Sequence, residues 1–129
     1  MKWKKYQKIK FTKNNLLDEK KLPFPDNFFD FVYSKSFIEH FYDPEFIFIE
    51  IFRVLKVGGK VITLHPNIRY LYMEYWDYFD HHVPLTDKSI AEGLEVVGFK
   101  VELSIDKFLP FTTKSKVPKH PILVKLYLM

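Results

Sequence analysis

Histidines and carboxylates stand side by side at two places in this sequence. Glu39 is followed by His40, and further along Asp80 is followed by His81 and His82. Histidine has an unperturbed pKa of about 6.5, so it can accept and donate protons near neutral pH. A positioned general acid or base speeds a reaction by roughly 100- to 10,000-fold. Both places therefore indicate acid–base chemistry, with His40 and His81 as the candidate catalytic residues.

Both places also have a structural interpretation. His40 is typical of a histidine that hydrogen-bonds a backbone carbonyl at a helical turn. The tract around Asp80 is typical of a polar helix terminus, where histidine is favoured by the helix dipole. Asp77, Asp80, His81 and His82 are metal-ligating residue types, but adjacent histidines rarely share one ion and no third spaced ligand follows. We therefore predict no metal site here.

The elements that position these residues alternate between strand and helix. Apolar patterns predict strands at residues 8–12, 29–34, 60–64 and 101–105, and residues 14–27 are rich in loop-forming types. Helices are predicted from Pro44, over residues 68–79 and over residues 86–97. The strand at 29–34 is apolar on both sides, which is typical of a parallel sheet covered on two faces. This alternation predicts an α/β fold with a mostly parallel sheet.

Capping residues set the expected ends of the helices. Asp43 and Pro44 suit a helix start, and the Gly58–Gly59 pair suits its end. Thr86 suits the start of a later helix, and Gly98 suits its end. In open parallel sheets, ligands bind beyond the carboxyl ends of the strands. We therefore expect a site where residues 34–40 and 65–68 follow two strands.

Three segments together resemble a known family. They are Leu-Pro-Phe-Pro-Asp-Asn-Phe-Phe-Asp at 22–30, Phe-Ile-Glu-His-Phe at 37–41 and Arg-Val-Leu-Lys-Val-Gly-Gly-Lys-Val at 53–61. In this combination the chain resembles the C-terminal half of a class I S-adenosylmethionine-dependent methyltransferase of the type-11 kind. The resemblance covers residues 8–105 and leaves 106–129 as a C-terminal extension. It implies one partial domain over residues 1–129.

The resemblance also implies roles for individual residues. It places His40 beside the transferring methyl group, as a base, and a segment at 75–85 over the acceptor. Contacts with S-adenosylmethionine are implied for Asn15 (with Asn14 as the alternative), Leu16, Ser34, Phe37 and Glu39. Contacts with the acceptor are implied for Tyr75, Asp80 and His82, beside a catalytic role for His81.

The sequence departs from the family in what it lacks. The glycine-rich cofactor loop and the acid that binds the ribose hydroxyls have no counterpart. We therefore expect a partial Rossmann-like fold without its first two strands and its last strand, and an N-terminal half supplied in trans. We expect this chain alone to bind S-adenosylmethionine weakly or not at all, and to be inactive. The complete protein is expected to transfer a methyl group to oxygen on a small or glycan-like acceptor.

The sequence leaves one other class of function open, and its composition argues against several more. A non-catalytic interaction module, or a gene remnant derived from a methyltransferase, is the main alternative. The net charge is +4 with lysines concentrated at both ends, yet no nucleic-acid-binding motif accompanies them, so we expect no nucleic-acid partner. No cysteine, signal peptide or apolar run of membrane-spanning length is visible. A cytoplasmic location is therefore expected.

Overall fold

Two parallel strands form the centre of the fold in the computed structural model, which describes residues 12–108 and Ile122. The elements in chain order are α1 (Leu16–Glu19), β1 (Phe29–Lys35), a 3₁₀ turn (Ile38–His40), α2 (Glu45–Val54), β2 (Leu55–Leu64), a second 3₁₀ turn (Glu74–Asp77) and α3 (Asp87–Val97). β1 and β2 pair in parallel, and α2 connects them. The prediction of an α/β fold with these two strands adjacent and parallel is confirmed.

The Gly58–Gly59 pair forms a bulge in β2 rather than the end of α2, so this prediction was wrong. Residues 56–59 lie opposite Asp30 alone, because Phe29 pairs with Leu55 and Phe31 pairs with Lys60. Gly58 has a φ of +78°, and a Cβ on Gly59 would lie 2.8 Å from the Lys56 carbonyl oxygen. α2 ends earlier, where the carbonyls of residues 53 and 54 accept hydrogen bonds from the N–H groups of residues 27 and 28.

The helices cover one face of the sheet. Ile47, Phe48 and Ile51 of α2 share a buried core with Ile90 and Leu94 of α3. Phe29 and Val32 of β1 and Val61 of β2 pack against this core from the sheet.

The opposite face of the sheet is exposed in the described part of the chain. We expected the strand at 29–34 to be covered on two faces, but the exposed fractions of Phe31 and Tyr33 are 51% and 56%. Successive side chains of a strand point to opposite faces, so Val32 takes the core position between them. An apolar run alone does not say which of its residues face the covered side.

α3 has the ends that its sequence predicts. The Ser89 backbone N–H donates to the Thr86 side chain, and the Thr86 N–H donates to the Ser89 hydroxyl, so both halves of a capping box are present. Gly98 follows in the left-handed conformation with a φ of +118°. The helix predicted over residues 86–97 is therefore confirmed, with Thr86 as its N-cap. Both end signals act within a few residues of the helix, which is why the sequence predicts its ends.

Three local predictions were wrong. Residues 68–79 form turns and the short 3₁₀ element, because Tyr75 alone among them is buried and a helix needs an apolar stripe to bury. Residues 101–105 form no strand, since no described strand pairs with them. The predicted loop at 14–27 contains α1. The strand predicted at 8–12 lies outside the described residues except for Thr12, as does most of the C-terminal extension.

Candidate functional site

A cavity of about 360 Å³ lies between the end of β1 and α2. It brings together three of the predicted cofactor residues: Leu16 from α1, Ser34 from the end of β1 and Phe37 from the loop that follows. Ile47 and Ile51 of α2 form part of its apolar lining. Small-molecule sites typically have volumes of about 300–1,000 Å³ and mainly apolar walls. This cavity is therefore large enough for part of an S-adenosylmethionine molecule.

The other two predicted cofactor residues do not line this cavity. Asn15 precedes α1 and is exposed, and its side-chain amide donates to the Asp18 carboxylate. Glu39 lies in the first 3₁₀ turn and is completely buried. Their roles at the cofactor stay predictions.

Arg53 fixes the loop that closes one side of the cavity. Its guanidinium donates to the carbonyls of Leu22 at 3.0 Å and Phe24 at 2.8 Å. It also pairs with the carboxylates of Asp26 at 2.8 Å and Glu50 at 2.7 Å. Glu50 in turn accepts a 2.7 Å bond from the Leu22 N–H, and both Leu22 and Glu50 line the cavity.

The electrostatics of this pair follow from the contacts. The hydrogen bonds from Arg53 are the main cause that lowers the pKa of the Glu50 carboxyl. The pKa of the Arg53 guanidinium is raised, chiefly by Glu50 and then by Asp26. Both side chains are therefore charged at neutral pH, and the loop at 22–26 is tied to α2 by charge-assisted hydrogen bonds.

A second site lies next to the cavity, where the two histidine-containing segments meet. His40 Nδ1 lies 3.0 Å from the Asp80 carboxylate and 3.1 Å from the Asp80 carbonyl oxygen. Both partners are acceptors, so in the neutral ring Nδ1 carries the proton and Nε2 has the lone pair. The His40 and His81 rings have centroids 5.1 Å apart. The backbone N–H of His82 also donates to the Glu39 carbonyl at 2.9 Å.

Glu39 is the unusual member of this second site. Its exposed fraction is 0%, and neither carboxylate oxygen has a hydrogen-bond partner among the described residues. Its Oε1 lies 3.9 Å from His40 Nε2. Burial raises the pKa of the Glu39 carboxyl, and the opposing effects of nearby backbone groups and of His40 and His81 are weaker. A buried carboxylate without partners is costly, so a group that binds it would stabilise this arrangement.

The remaining predicted acceptor residues surround the two histidines. Tyr75 is buried, its hydroxyl donates to the Val83 carbonyl, and its ring lies against His81. Burial raises the pKa of this hydroxyl to about 12. His82 is partly exposed and stacks on Tyr42 with the ring centroids 3.8 Å apart. Tyr75 thus shapes the site from behind, while His82 and Tyr42 offer an accessible flat surface.

His65 follows β2, in the second of the two segments that we expected to form one site. Its two ring nitrogens are buried without a hydrogen-bond partner in the described part of the chain, and it lines a smaller cavity of about 110 Å³ between β2 and α3. Burial lowers the pKa of His65, so its ring is neutral at neutral pH. The histidine-containing segments meet at the end of β1, and His65 contributes to neither the first cavity nor the paired histidines.

Sequence reasoning missed two features of this region. It did not anticipate the Arg53–Glu50 pair, although a spacing of three residues on a helix brings opposite charges together. It also did not anticipate that Glu39 and His81 share one buried cluster. No sequence signal identifies that contact, because the two residues come from separate segments.

Comparison with protein-family models indicates the class of protein that the chain is similar to. Residues 2–63 match the family model described as "Methyltransferase domain". The matched range contains the cavity residues Leu16, Ser34 and Phe37, the Glu39–His40 pair and the whole of α2. No solved structure matches the chain significantly.

Several curated methyltransferases are similar to this chain in sequence. The demethylmenaquinone methyltransferase of Geobacillus sp. is 33% identical over 88 residues, which cover 66% of this chain and 38% of the relative. The ubiquinone/menaquinone biosynthesis C-methyltransferase UbiE of Desulfotalea psychrophila is 34% identical over 79 residues, 57% of this chain and 31% of the relative. Phosphoethanolamine N-methyltransferase 2 of Caenorhabditis elegans is 41% identical over 51 residues, 40% of this chain and 12% of the relative.

These comparisons support the interpretation of the chain as part of a methyltransferase. The aligned segments cover only part of each relative. The matched part of the chain spans 38%, 31% and 12% of the lengths of these three curated proteins. Their names specify carbon and nitrogen as acceptor atoms, so they do not support the predicted transfer to oxygen on a glycan-like acceptor. No helix in the described part of the chain is long and apolar enough to cross a membrane.

Proposed function

We propose that this chain forms the acceptor-side part of an S-adenosylmethionine-dependent methyltransferase. One observation carries the proposal: a single turn within the matched range joins the cavity to the histidines. Phe37 lines the cavity, and the His40 N–H donates to the Phe37 carbonyl at 3.2 Å. Cofactor and acceptor sites in such an enzyme must be adjacent, because the methyl group passes directly from one to the other.

Leu16, Ser34 and Phe37 are the residues we assign to the cofactor. When bound, S-adenosylmethionine supplies an electrophilic methyl group, and the reactivity resides in the cofactor. The protein contributes mainly alignment, which is worth up to about 7–11 kcal/mol. The Arg53 contacts support this alignment by holding the loop that carries Leu22 against α2.

His40 is the residue we assign as general base. Asp80 holds the Nδ1 proton, which leaves the lone pair of Nε2 free to take a proton from the acceptor. We propose a hydroxylated aromatic ring as the acceptor. Methylation at carbon is chosen because the name of the Desulfotalea relative describes that protein as a C-methyltransferase of ubiquinone/menaquinone biosynthesis. Loss of the hydroxyl proton to His40 would make the neighbouring ring carbon more nucleophilic. After methylation that carbon would release its own proton to solvent, which restores the aromatic ring. The exposed stack of His82 on Tyr42 offers such a ring a flat contact surface.

We also infer that full activity needs a glycine-rich cofactor segment that this sequence does not contain. The isolated chain is then expected to bind S-adenosylmethionine only at about millimolar concentration, near 4 kcal/mol. The alternative of a non-catalytic module is less favoured, because cavity and base both lie within the matched range.

Methyl transfer by a completed enzyme tests this proposal. The chain is supplied, in trans or as a fusion, with the N-terminal part of the Geobacillus relative, and tritium transfer from labelled cofactor to reduced demethylmenaquinone is measured. His40→Ala should lower kcat by about 100-fold and change the cofactor KM much less. His82→Ala is the matched control for substrate contact without base loss. Equal turnover of the His40→Ala and unaltered proteins, with the fold intact, would refute the assignment.

A further inference from the structure

Three metal-ligating side chains, two of them buried and one partly exposed, converge on one point. Glu39, His40 and His81 each offer a ligand atom, and these atoms all lie within 4.8 Å of one another. Both oxygens of Glu39 and Nδ1 of His81 are buried and have no hydrogen-bond partner among the described residues. The exposed fractions of these two residues are 0% and 8%. Buried polar atoms are normally paired, so these three atoms point to a missing partner.

We propose that Glu39, His40 and His81 bind a divalent transition-metal ion, and that Zn²⁺ is the ion they fit best. Two imidazole nitrogens and one carboxylate oxygen, with a fourth position open, form a donor set that zinc uses in catalytic sites. Zinc binds such ligands at about 2.0–2.2 Å. In a tetrahedral site with these bond lengths the ligand atoms lie about 3.4 Å apart, so side-chain rotations that bring them closer by up to about 1.4 Å would satisfy that geometry. Mg²⁺ and Ca²⁺ prefer oxygen ligands and fit this set poorly.

The groups around the cluster support this assignment. A metal-bound histidine usually donates its other ring N–H to a carboxylate or carbonyl, which fixes the ring and its tautomer. His40 has that arrangement, because its Nδ1 is held by Asp80 while Nε2 faces Glu39 at 3.9 Å. The His81 ring is held by contacts with the rings of Tyr75 and Tyr78, at 4.7 and 4.9 Å between centroids.

The ligand set differs from the one considered in the sequence. Of Asp77, Asp80, His81 and His82, only His81 is a proposed ligand. Asp80 accepts the hydrogen bond from His40 Nδ1, and His82 stacks on Tyr42. The other two ligands, Glu39 and His40, come from the turn after β1, which no local spacing rule identifies.

The consequence for catalysis rests on the proposed function, whereas metal binding itself does not. With the ion bound, the lone pair of His40 Nε2 is used for coordination. An acceptor hydroxyl in the open position would then release its proton to solvent water more readily, because the ion would stabilise the resulting oxyanion. His40 would act as a ligand in that state and as a base in its absence.

Calorimetric titration of the EDTA-treated chain with ZnCl₂ tests the proposal directly. We expect one ion per chain with a Kd of about 1 μM. Glu39→Gln and His81→Ala should each weaken binding at least about 10-fold, and Asp80→Asn should weaken it by about 10- to 100-fold. His82→Ala is the matched control and should change nothing. Binding weaker than about 100 μM, or equal binding by all variants, would overturn the proposal.

A second measurement on the unaltered chain covers the case in which a variant fails to fold. In a histidine-selective NMR spectrum, Zn²⁺ should shift the ring signals of His40 and His81 and leave those of His65 and His82 unchanged. Shifts at His65 and His82 alone would contradict the site. Neither result depends on methyl transfer, so failure of the proposed function would not affect this test.

Discussion

Arg53→Met should destabilise the fold strongly, because it leaves a nearly buried carboxylate unpaired. The substitution keeps an unbranched, flexible stem and removes every contact of the guanidinium. Glu50 then keeps only the bond from the Leu22 N–H, and its side chain is 11% exposed. The Phe24 carbonyl loses the Arg53 donor, and the Leu22 carbonyl keeps only the bond from the Phe24 N–H among the described residues.

The magnitude follows from the burial of the pair. Breaking a buried ion pair by removing one partner costs about 3–5 kcal/mol. Arg53 and Glu50 keep 19% and 11% of their side-chain surface exposed, so residual solvation favours the lower end of this range. We expect a loss of about 3 kcal/mol, equivalent to a fall in Tm of about 10 °C for a domain of this size.

Urea unfolding followed by circular dichroism measures this loss. Lys56→Met is the matched control, because Lys56 pairs with Asp30 at a similar distance of 2.9 Å but both side chains are exposed. Exposed pairs of this kind contribute about 0–1 kcal/mol. If Arg53→Met costs no more than Lys56→Met, the loop is not held by this network and the reasoning fails.

Three further outcomes are expected from the same unfolding assay. Gly93→Ala should destabilise by about 1–3 kcal/mol, because the new Cβ would lie 2.7 Å from the Phe48 ring; a gain in stability from helix propensity would contradict this packing. Tyr75→Phe should cost about 1–2 kcal/mol by removing the hydroxyl that bonds the Val83 carbonyl, and an unchanged midpoint would show that this bond contributes nothing. The lowered pKa of Glu50 stabilises the fold above its ordinary pKa of 4.5, and this contribution should disappear as the pH falls through the lowered value. Glu50→Gln should therefore flatten the stability profile below about pH 4.5, and an equally steep acid limb would refute the linkage.

The sequence predicted the elements whose signals are local. The capping box of α3 and Gly98 act within a few residues, and both appear as expected. The parallel pairing of β1 and β2 followed from a helix-length connection between two apolar runs. The bulge at Gly58–Gly59 was not predictable, because a glycine pair has the same appearance after a helix and within a bulged strand. The opposing strand decides between the two.

In the candidate site too, some features follow from the sequence and others depend on the tertiary structure. Leu16, Ser34 and Phe37 were assigned by resemblance, and one cavity contains them all. The contact between His81 and Glu39 depends on how the segment after β2 returns to the end of β1, and periodicity carries no information about that path. The burial of Glu39, on which the proposed metal site depends, is likewise a tertiary property.

The most direct test of the central claim is an NMR titration of the chain with S-adenosylmethionine. The backbone amide resonances of Leu16, Ser34 and Phe37 should shift as cofactor is added, and all three should fit one saturable binding curve with a Kd of about 1 mM. The amide resonances of α3 should not shift. S-adenosylhomocysteine should produce the same pattern and compete for it. The absence of a saturable shift up to about 10 mM, or shifts confined to α3, would contradict a cofactor site in this cavity.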